Sequence, residues 1–244
     1  IQLEAPDYSI NWDEVNVQIS SKTKMIIINT PHNPSGTVLS EYDMLKLQAL
    51  TEGTDIIVLS DEVYEHMIFD EQKHQSACLF ADLKQRSFIV ASFGKTFHNT
   101  GWKMGYCCAP KDLMSEFQKL HQFNVFSVNS AMQKGLADYL KAPSHYLGLA
   151  DFYQEKRDYF LNLIKDSKFT FKPSQGTYFQ VLGYSELTDE YDVDFAKRLT
   201  IVNGLASIPL SVFNLDNKDD QVLRFCFAKT NETLKKAADI LNNL

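Results

Sequence analysis

Three short apolar runs, each followed at once by a polar loop, limit the fold of this chain more than any other feature. They occupy residues 25–28, 56–59 and 88–91. A continuous apolar run of this length is typical of a strand that is buried on both faces of a parallel sheet. A fourth run, at 104–109, follows the third too closely for a helical crossover, so we expect it to pair antiparallel. The sequence therefore predicts an α/β sheet of four strands, the first three parallel and the last antiparallel.

Helical and strand patterns continue through the rest of the chain. Ser40 followed by Asp43 is typical of a capping box and predicts a helix that begins just after it. The predicted helices lie near 11–15, 41–52, 111–122, 130–141, 144–167, 192–203 and 231–243, and the further strands at 177–182, 205–208 and 222–227. We therefore predict a three-layer αβα domain with a mostly parallel sheet over residues 1–146. A smaller C-terminal α+β domain is predicted over 147–244.

The composition excludes several classes of function. A net charge of −7 without a basic block argues against binding of nucleic acid, whose affinity depends on Lys and Arg contacts to phosphate. No apolar stretch approaches the length of a membrane span, so no membrane partner is expected. The four cysteines have neither metal spacing nor a disulfide framework, which favours a reducing compartment and hence the cytoplasm. The six histidines are scattered, so we predict no metal site.

Polar side chains with useful chemistry follow each of the three parallel runs. Asn33 follows the first, Asp61 and Tyr64 follow the second, and Lys95 follows the third. Each alone has an ordinary structural explanation, as a turn residue, a helix cap, a core residue and a surface lysine. Because the carboxyl ends of parallel strands meet at one edge of a sheet, their joint occurrence predicts a single site. An amine, a carboxylate, a phenol and an amide around one pocket suit pyridoxal phosphate.

One competing motif fails. Gly94-Lys95-Thr96 imitates the end of the phosphate-binding loop G-x-x-x-x-G-K-[ST] of nucleoside triphosphatases. That motif requires glycine at position 89, which is Ile89, and no glycine-rich loop precedes the lysine. The sequence therefore does not predict a nucleotide-binding loop here.

Three motifs then occur in a specific order along the chain. They are Asn-Pro-Ser-Gly at 33–36, Ser-Asp-Glu-Val-Tyr at 60–64, and Ser-Phe-Gly-Lys through Gly-Trp-Lys-Met-Gly at 92–105. This order resembles the class I/II pyridoxal-phosphate-dependent aminotransferases of fold type I. The third motif, with Phe-Ser-Val-Asn at 126–129, is most similar to the methionine and glutamine–kynurenine aminotransferase branch. The resemblance covers nearly the whole chain and implies amino transfer from an amino acid such as methionine, glutamine or an aromatic one to a 2-oxo acid.

The resemblance also implies roles for the matched residues. Lys95 corresponds to the lysine that forms a Schiff base with the cofactor and carries a proton during the reaction. Asp61 corresponds to the carboxylate that pairs with the pyridine nitrogen. Tyr64 and Asn33 correspond to the hydrogen-bond partners of the ring hydroxyl. These four side chains are therefore the predicted catalytic and cofactor-binding centre.

Further residues are assigned by the same resemblance. Ser92 and Lys103 are expected to hold the cofactor phosphate, with Lys103 at a position where the family more often has arginine. Arg224 is expected to bind the substrate α-carboxylate beside Asn33, because a guanidinium grips a carboxylate with two hydrogen bonds. Phe126 is expected to enter the substrate pocket of a neighbouring subunit. No residue is predicted to bind a metal.

The start of the chain leads to another expectation. Members of this family carry a substantial segment before the equivalent of residues 3–6, whereas this chain opens at Ile1 without a methionine. We therefore expect a fragment of a longer enzyme that is a homodimer at full length. Two alternatives stay open at this stage. One is a pyridoxal-phosphate-dependent carbon–sulfur β-lyase of the same fold, and the other is a chain that is catalytically inert as isolated.

Overall fold

The computed structural model describes residues 1–244. In chain order the elements are α1 (Trp12–Gln18), β1 (Met25–Asn29), α2 (Glu41–Thr51), β2 (Ile57–Asp61), α3 (Ala81–Arg86), β3 (Ser87–Ser92), α4 (Phe93–Thr96), β4 (Gly105–Cys108), α5 (Lys111–Asn124), α6 (Ser130–Tyr139), α7 (Ser144–Leu147), α8 (Leu149–Ile164), β5 (Phe179–Gly183), α9 (Asp192–Val202), β6 (Ile208–Pro209), β7 (Val222–Cys226) and α10 (Asn231–Asn242). None of the helices combines the length and the apolar character that a membrane span requires.

The larger sheet confirms the predicted topology. Its strand order is β1-β2-β3-β4, with β1, β2 and β3 parallel and β4 antiparallel to β3. The register places Asn29 beside Asp61, and Asp61 beside Val90. At the same edge, Ser92 of β3 lies opposite Gly105 of β4. The polar ends of the three parallel strands therefore lie side by side.

Helices cover the two faces of this sheet unequally. On one face, α1, α2 and α3 pack against the strands through a buried cluster that includes Trp12, Met44, Val58 and Leu83. The N-terminus of α2 has the predicted capping box, because the side chains of Ser40 and Asp43 each bond the other residue's backbone N–H. On the opposite face, α5 approaches β3 through rings of Phe88 and Phe117, whose centres are 6.2 Å apart. The predicted α/β class is confirmed.

The prediction that the first strand is buried on both faces is wrong. Met25 and Ile27 point away from the covered face and are 43% and 68% exposed. β1 is an edge strand, and both side chains line an open cavity along it. A continuous apolar run indicates that the side chains on both faces of the strand favour burial. It does not indicate which element, if any, packs against each face.

The second sheet has the order β5-β7-β6 and is antiparallel throughout. Helices α8 and α10 pack together beside it, and a core of 21 buried residues fills the space between. Tyr64 and Phe69, from the connection after β2, also belong to this core. The two parts of the chain are therefore joined by shared packing, and the predicted boundary between residues 146 and 147 stays a prediction.

The single long helix predicted at 144–167 is wrong in one respect. Gly148 divides it into the short α7 and the 16-residue α8. Glycine is the least favourable helix residue after proline, because it loses the most backbone entropy. The apolar periodicity that continues across Gly148 did not reveal this interruption.

Candidate active site

A cavity of about 380 Å³ opens where the ends of β1, β2 and β3 meet. Five of the eight predicted site residues are among the nine that line it: Asn33, Asp61, Tyr64, Ser92 and Lys95. A larger cavity of about 590 Å³ follows the exposed edge of β1, but Asn33 is the only predicted site residue there. We therefore take the smaller cavity as the candidate active site, because the reactive groups converge on it.

Lys95 lies on α4, a single helical turn that directly follows β3. The Ser92 side chain caps this turn, since its Oγ accepts a hydrogen bond of 3.1 Å from the N–H of Gly94. The Nζ of Lys95 lies 5.9 Å from the centre of the Tyr178 ring and forms no ion pair. The cavity therefore contains a primary amine that is free to bond to a ligand.

Asp61 ends β2 with its side chain towards the cavity. Its Oδ1 accepts a hydrogen bond of 3.2 Å from the N–H of Val63, the only hydrogen bond that the carboxyl group makes. Burial raises the pKa of Asp61, the Val63 N–H lowers it, and the charge of Glu62 raises it further. A half-buried carboxylate without a cationic partner is a favourable place for a ligand that carries a proton on a ring nitrogen.

Tyr64 is both a core residue and part of the cavity wall. It is 2% exposed, and its ring makes edge contacts with Tyr178 and Phe179 at centre-to-centre distances of 5.4 and 6.2 Å. Burial, followed by the influence of Tyr178, raises the pKa of Tyr64 well above its usual value. The phenol is therefore protonated at neutral pH and can donate a hydrogen bond to a ligand oxygen.

Arg224 brings the second sheet to the same place. Its neighbours Leu223 and Phe225 are buried on the other face of β7, as the alternation predicts. Its Nη1 donates a hydrogen bond to Oδ1 of Asn33, and its guanidinium carbon lies 4.0 Å from the centre of the Phe179 ring. Arg224 does not itself line the cavity, but a hydrogen bond and an aromatic face hold this cation beside Asn33 of the cavity wall.

Lys103 and Phe126 do not line this cavity. Lys103 has a left-handed backbone with φ of 55°, and it precedes by two residues Gly105, which pairs with Ser92. Phe126 is 85% exposed just beyond the end of α5. Contacts with a phosphate and with a neighbouring subunit therefore remain predictions for these two residues.

Sequence reasoning missed Asn29, which joins two of the strand ends. Its Nδ2 donates a 3.0 Å hydrogen bond to the carbonyl of Asp61, and its Oδ1 accepts a 2.8 Å bond from the N–H of Asn33. Asn29 therefore holds two predicted site residues with one side chain. The sequence did contain a signal for Asn29, because it is the first polar residue after the apolar run in β1. In the parallel sheet it lies directly beside Asp61 of β2.

Gly36 offers a test of the loop that carries Asn33. Its φ is +76°, and an added Cβ would lie 2.6 Å from the Cβ of Ser174. We expect Gly36→Ala to lower the free energy of unfolding by about 1–3 kcal/mol, since backbone strain and a steric clash add together. Gly204→Ala is the matched control, because Gly204 has φ of +70° with open space around it. Equal losses for the two variants in thermal denaturation would exclude the clash.

Known proteins match this chain over almost its whole length. A family model described as aminotransferase class I and II matches residues 2–241. A methionine aminotransferase from Escherichia coli K12 is 45% identical over 99% of this chain and 63% of its own length. A kynurenine–oxoglutarate transaminase from Dictyostelium discoideum is 33% identical over 97% of this chain and 60% of its own length. The chain thus spans less than two thirds of these relatives.

Solved structures agree with these matches. A crystal structure of an Escherichia coli protein with a methionine aminotransferase function superposes with a TM-score of 0.96 at 45% identity, covering 99% of this chain and 64% of that one. The N-succinyldiaminopimelate aminotransferase from Mycobacterium tuberculosis superposes with a TM-score of 0.92 at 28% identity, covering 98% and 64%.

Proposed function

Because this chain belongs to the class I and II aminotransferase family, we propose that its protein moves an amino group from an amino acid to a 2-oxo acid, with pyridoxal phosphate as cofactor. The family as a whole depends on this cofactor and acts on these two classes of substrate. One observation carries the proposal for this chain. A single cavity brings together the amine of Lys95, the carboxylate of Asp61 and the phenol of Tyr64.

The residues present fit the cofactor. When bound, pyridoxal phosphate supplies an aldehyde that condenses with amines and a ring that accepts electrons from the bonded carbon. Lys95 supplies the amine, and its Nζ is the only basic side-chain nitrogen among the residues that line the cavity. The second carboxylate oxygen of Asp61 is available to hold a proton on a ring nitrogen. The hydroxyl of Tyr64 and the amide of Asn33 can donate hydrogen bonds to a ring oxygen.

Other residues bind the charged ends of the ligands in this proposal. Ser92 and Lys103 hold the phosphate, Lys103 as a point charge rather than the two-pronged donor that arginine would be. Arg224 holds the α-carboxylate of the substrate at the rim, beside Asn33. With its α-carboxylate held by Arg224, the amino acid is oriented in this proposal so that its reacting carbon lies near Nζ of Lys95.

Substrate and assembly are also part of the proposal. The 45% identity to a methionine aminotransferase supports methionine as an amino donor. Leu120, Phe123 and Phe126 are mostly exposed on and just after α5, which supports association with a second copy and a place for Phe126 in the substrate pocket of that copy. The four free cysteines support a location in the cytoplasm.

The direct test is an amino-transfer assay. Purified full-length protein, pyridoxal phosphate, methionine and a 2-oxo acid are incubated together, and both products are measured by mass spectrometry. We expect the oxo acid of methionine and the new amino acid to form in equal amounts, and turnover beyond one equivalent of the cofactor only when the acceptor is present. Release of pyruvate and ammonia from a cysteine conjugate without an acceptor would instead identify a carbon–sulfur lyase.

Arg224 offers a test of substrate binding. We expect Arg224→Leu to raise the KM for the amino acid on the order of 10²-fold, because the substrate carboxylate loses its charged hydrogen bonds. Arg198→Leu is the control, since Arg198 pairs with Glu190 at the surface beside α9. Steady-state kinetics with methionine give KM and kcat for each variant. An unchanged KM in the Arg224 variant would contradict its role.

A further inference from the structure

Glu62 is a buried carboxylate that lies between two of the proposed site residues in the sequence. It is 1% exposed and continues the covered face of β2, whereas Asp61 faces the cavity. Its Oε1 accepts hydrogen bonds of 2.8 Å from Oγ of Ser60 and 3.0 Å from the N–H of Ala77. Its Oε2 lies 2.7 Å from Nε2 of His74. Burial of a carboxylate is very unfavourable unless hydrogen bonds compensate for the lost water, and these contacts supply that compensation. The proposed function gives this group no role.

The protonation state of the pair follows from its geometry. Burial raises the pKa of Glu62, but the hydrogen bond and charge of His74 and the hydrogen bond from the N–H of Ala77 outweigh this, so its pKa is lowered. Glu62 is therefore an ionised acceptor, and Nε2 of His74 must donate the proton between them. The other ring nitrogen, Nδ1, is buried and has no partner.

A metal site is the competing explanation for this cluster. Ligand atoms of Glu62, Glu65 and His74 all lie within 4.8 Å of one another, a spacing that suits a divalent cation. A metal on Nε2 would leave the ring proton on Nδ1, and metal-bound histidines almost always donate that proton to an acceptor. Here no acceptor is present. The hydrogen-bonded pair accounts for the cluster better than an ion does.

The pair anchors a short turn from the side opposite the cavity. Within this turn, the N–H of Glu65 bonds the carbonyl of Glu62 at 2.9 Å, and the N–H of Glu62 bonds the carbonyl of Val90 in β3 at 2.8 Å. The side chain of Glu62 ties the same backbone to Ala77 and His74, which belong to the connection that leads to α3. Rotation of the turn would break all of these bonds together.

We propose that Glu62 and His74 are a positioning pair, which holds residues 61–64 so that Asp61 and Tyr64 face the cofactor cavity. The inference rests on the proposed function, because it concerns the same site. Asp61 precedes Glu62 directly and Tyr64 follows it by two residues, so a small rotation at Glu62 displaces both. Such a displacement weakens cofactor binding even when the fold persists.

Three substitutions separate positioning from simple loss of charge. Glu62→Leu removes all the side-chain hydrogen bonds, whereas Glu62→Gln keeps an acceptor for Ser60 and Ala77 and can donate to the other tautomer of His74. His74→Leu breaks only one bond and serves if the leucine variant at Glu62 does not fold. Glu65→Gln is the matched control, because Glu65 lies in the same turn and contacts Tyr106 outside the cavity.

Two readouts are compared across these variants. The dissociation constant of pyridoxal phosphate is measured by absorbance, and amide hydrogen exchange over residues 62–65 is measured without cofactor. In Glu62→Leu and His74→Leu we expect the dissociation constant to rise by about 10-fold or more and exchange to become faster. Glu62→Gln and Glu65→Gln should stay within about 3-fold of the native protein in both readouts.

The outcomes distinguish this inference from the proposed function. Native exchange and binding in both leucine variants would overturn the positioning role, as would equal losses in Glu62→Gln and Glu62→Leu. Failure of the native protein to bind pyridoxal phosphate would count against the proposed function. The exchange comparison needs no cofactor, so it would still decide whether the pair holds the turn.

Discussion

Lys95→Ala should reduce kcat for amino transfer by at least about 10³-fold. No other primary amine lines the cavity, so no neighbouring group can take over either the bond to the cofactor or the proton transfer at Nζ. We expect thermal stability to change little, because Nζ makes no ion pair and contacts only the face of the Tyr178 ring, at 5.9 Å from the ring centre. Steady-state kinetics with methionine and a 2-oxo acid measure kcat.

The control for this prediction is Lys111→Ala. Lys111 is exposed at the start of α5 and lies outside the cavity, so its loss should leave kcat unchanged. Added methylamine should partly restore the Lys95 variant, since a small amine can enter the space that the side chain leaves. A Lys95→Ala protein that keeps a tenth of native activity would contradict the assignment of the reacting amine.

Asp61→Asn is expected to lower kcat/KM on the order of 10²- to 10³-fold and to weaken cofactor binding. The substitution keeps the shape and the acceptor for the Val63 N–H, but it removes the negative charge that would stabilise a proton on the ring nitrogen. Asp194→Asn is the control, because Asp194 is exposed and pairs only with Lys197 on α9. Titration with pyridoxal phosphate and steady-state kinetics provide the two measurements.

The Asp61→Asn substitution should lower activity but should not lower the stability of the cofactor-free protein. Burial raises the pKa of Asp61 in the folded protein, so the ionised form is less favourable there than in the unfolded chain. Folding stability from this group is therefore greatest when it is protonated and decreases as the pH rises through its pKa values. At neutral pH without cofactor, we expect Asp61→Asn to have a thermal midpoint equal to or above the native one. A large loss of stability would mean that Asp61 serves the fold rather than the site.

The sheet and the central residues of the site could be predicted from the sequence, because both depend on local patterns. Apolar runs mark strands, and the chain connections of a parallel sheet bring their carboxyl ends to one edge. Asn33, Asp61 and Lys95 could therefore be placed together before any contact was known. Tyr64 was also found in this way, although only the structure shows that the same ring packs in the core.

Other features depend on contacts between distant segments, which no local pattern encodes. The hydrogen bond from Arg224 to Asn33 joins residues 191 positions apart, and the pairing of His74 with Glu62 depends on the path of an irregular connection. Ile27 is equally apolar whether or not another element covers it, so the apolar run alone does not show that this side chain is exposed. Periodicity also continues through Gly148, although the helix is interrupted there.

Chemical trapping shows whether the amine of Lys95 is the group that bonds to the cofactor. Purified protein is mixed with pyridoxal phosphate, an absorption spectrum is recorded before and after reduction with borohydride, and the modified peptides are mapped by mass spectrometry. We expect one dominant pyridoxyl adduct, on Lys95, that is lost in Lys95→Ala and weakened in Asp61→Asn. A dominant adduct on any other lysine, or equal labelling of exposed lysines without preference for Lys95, would contradict this assignment.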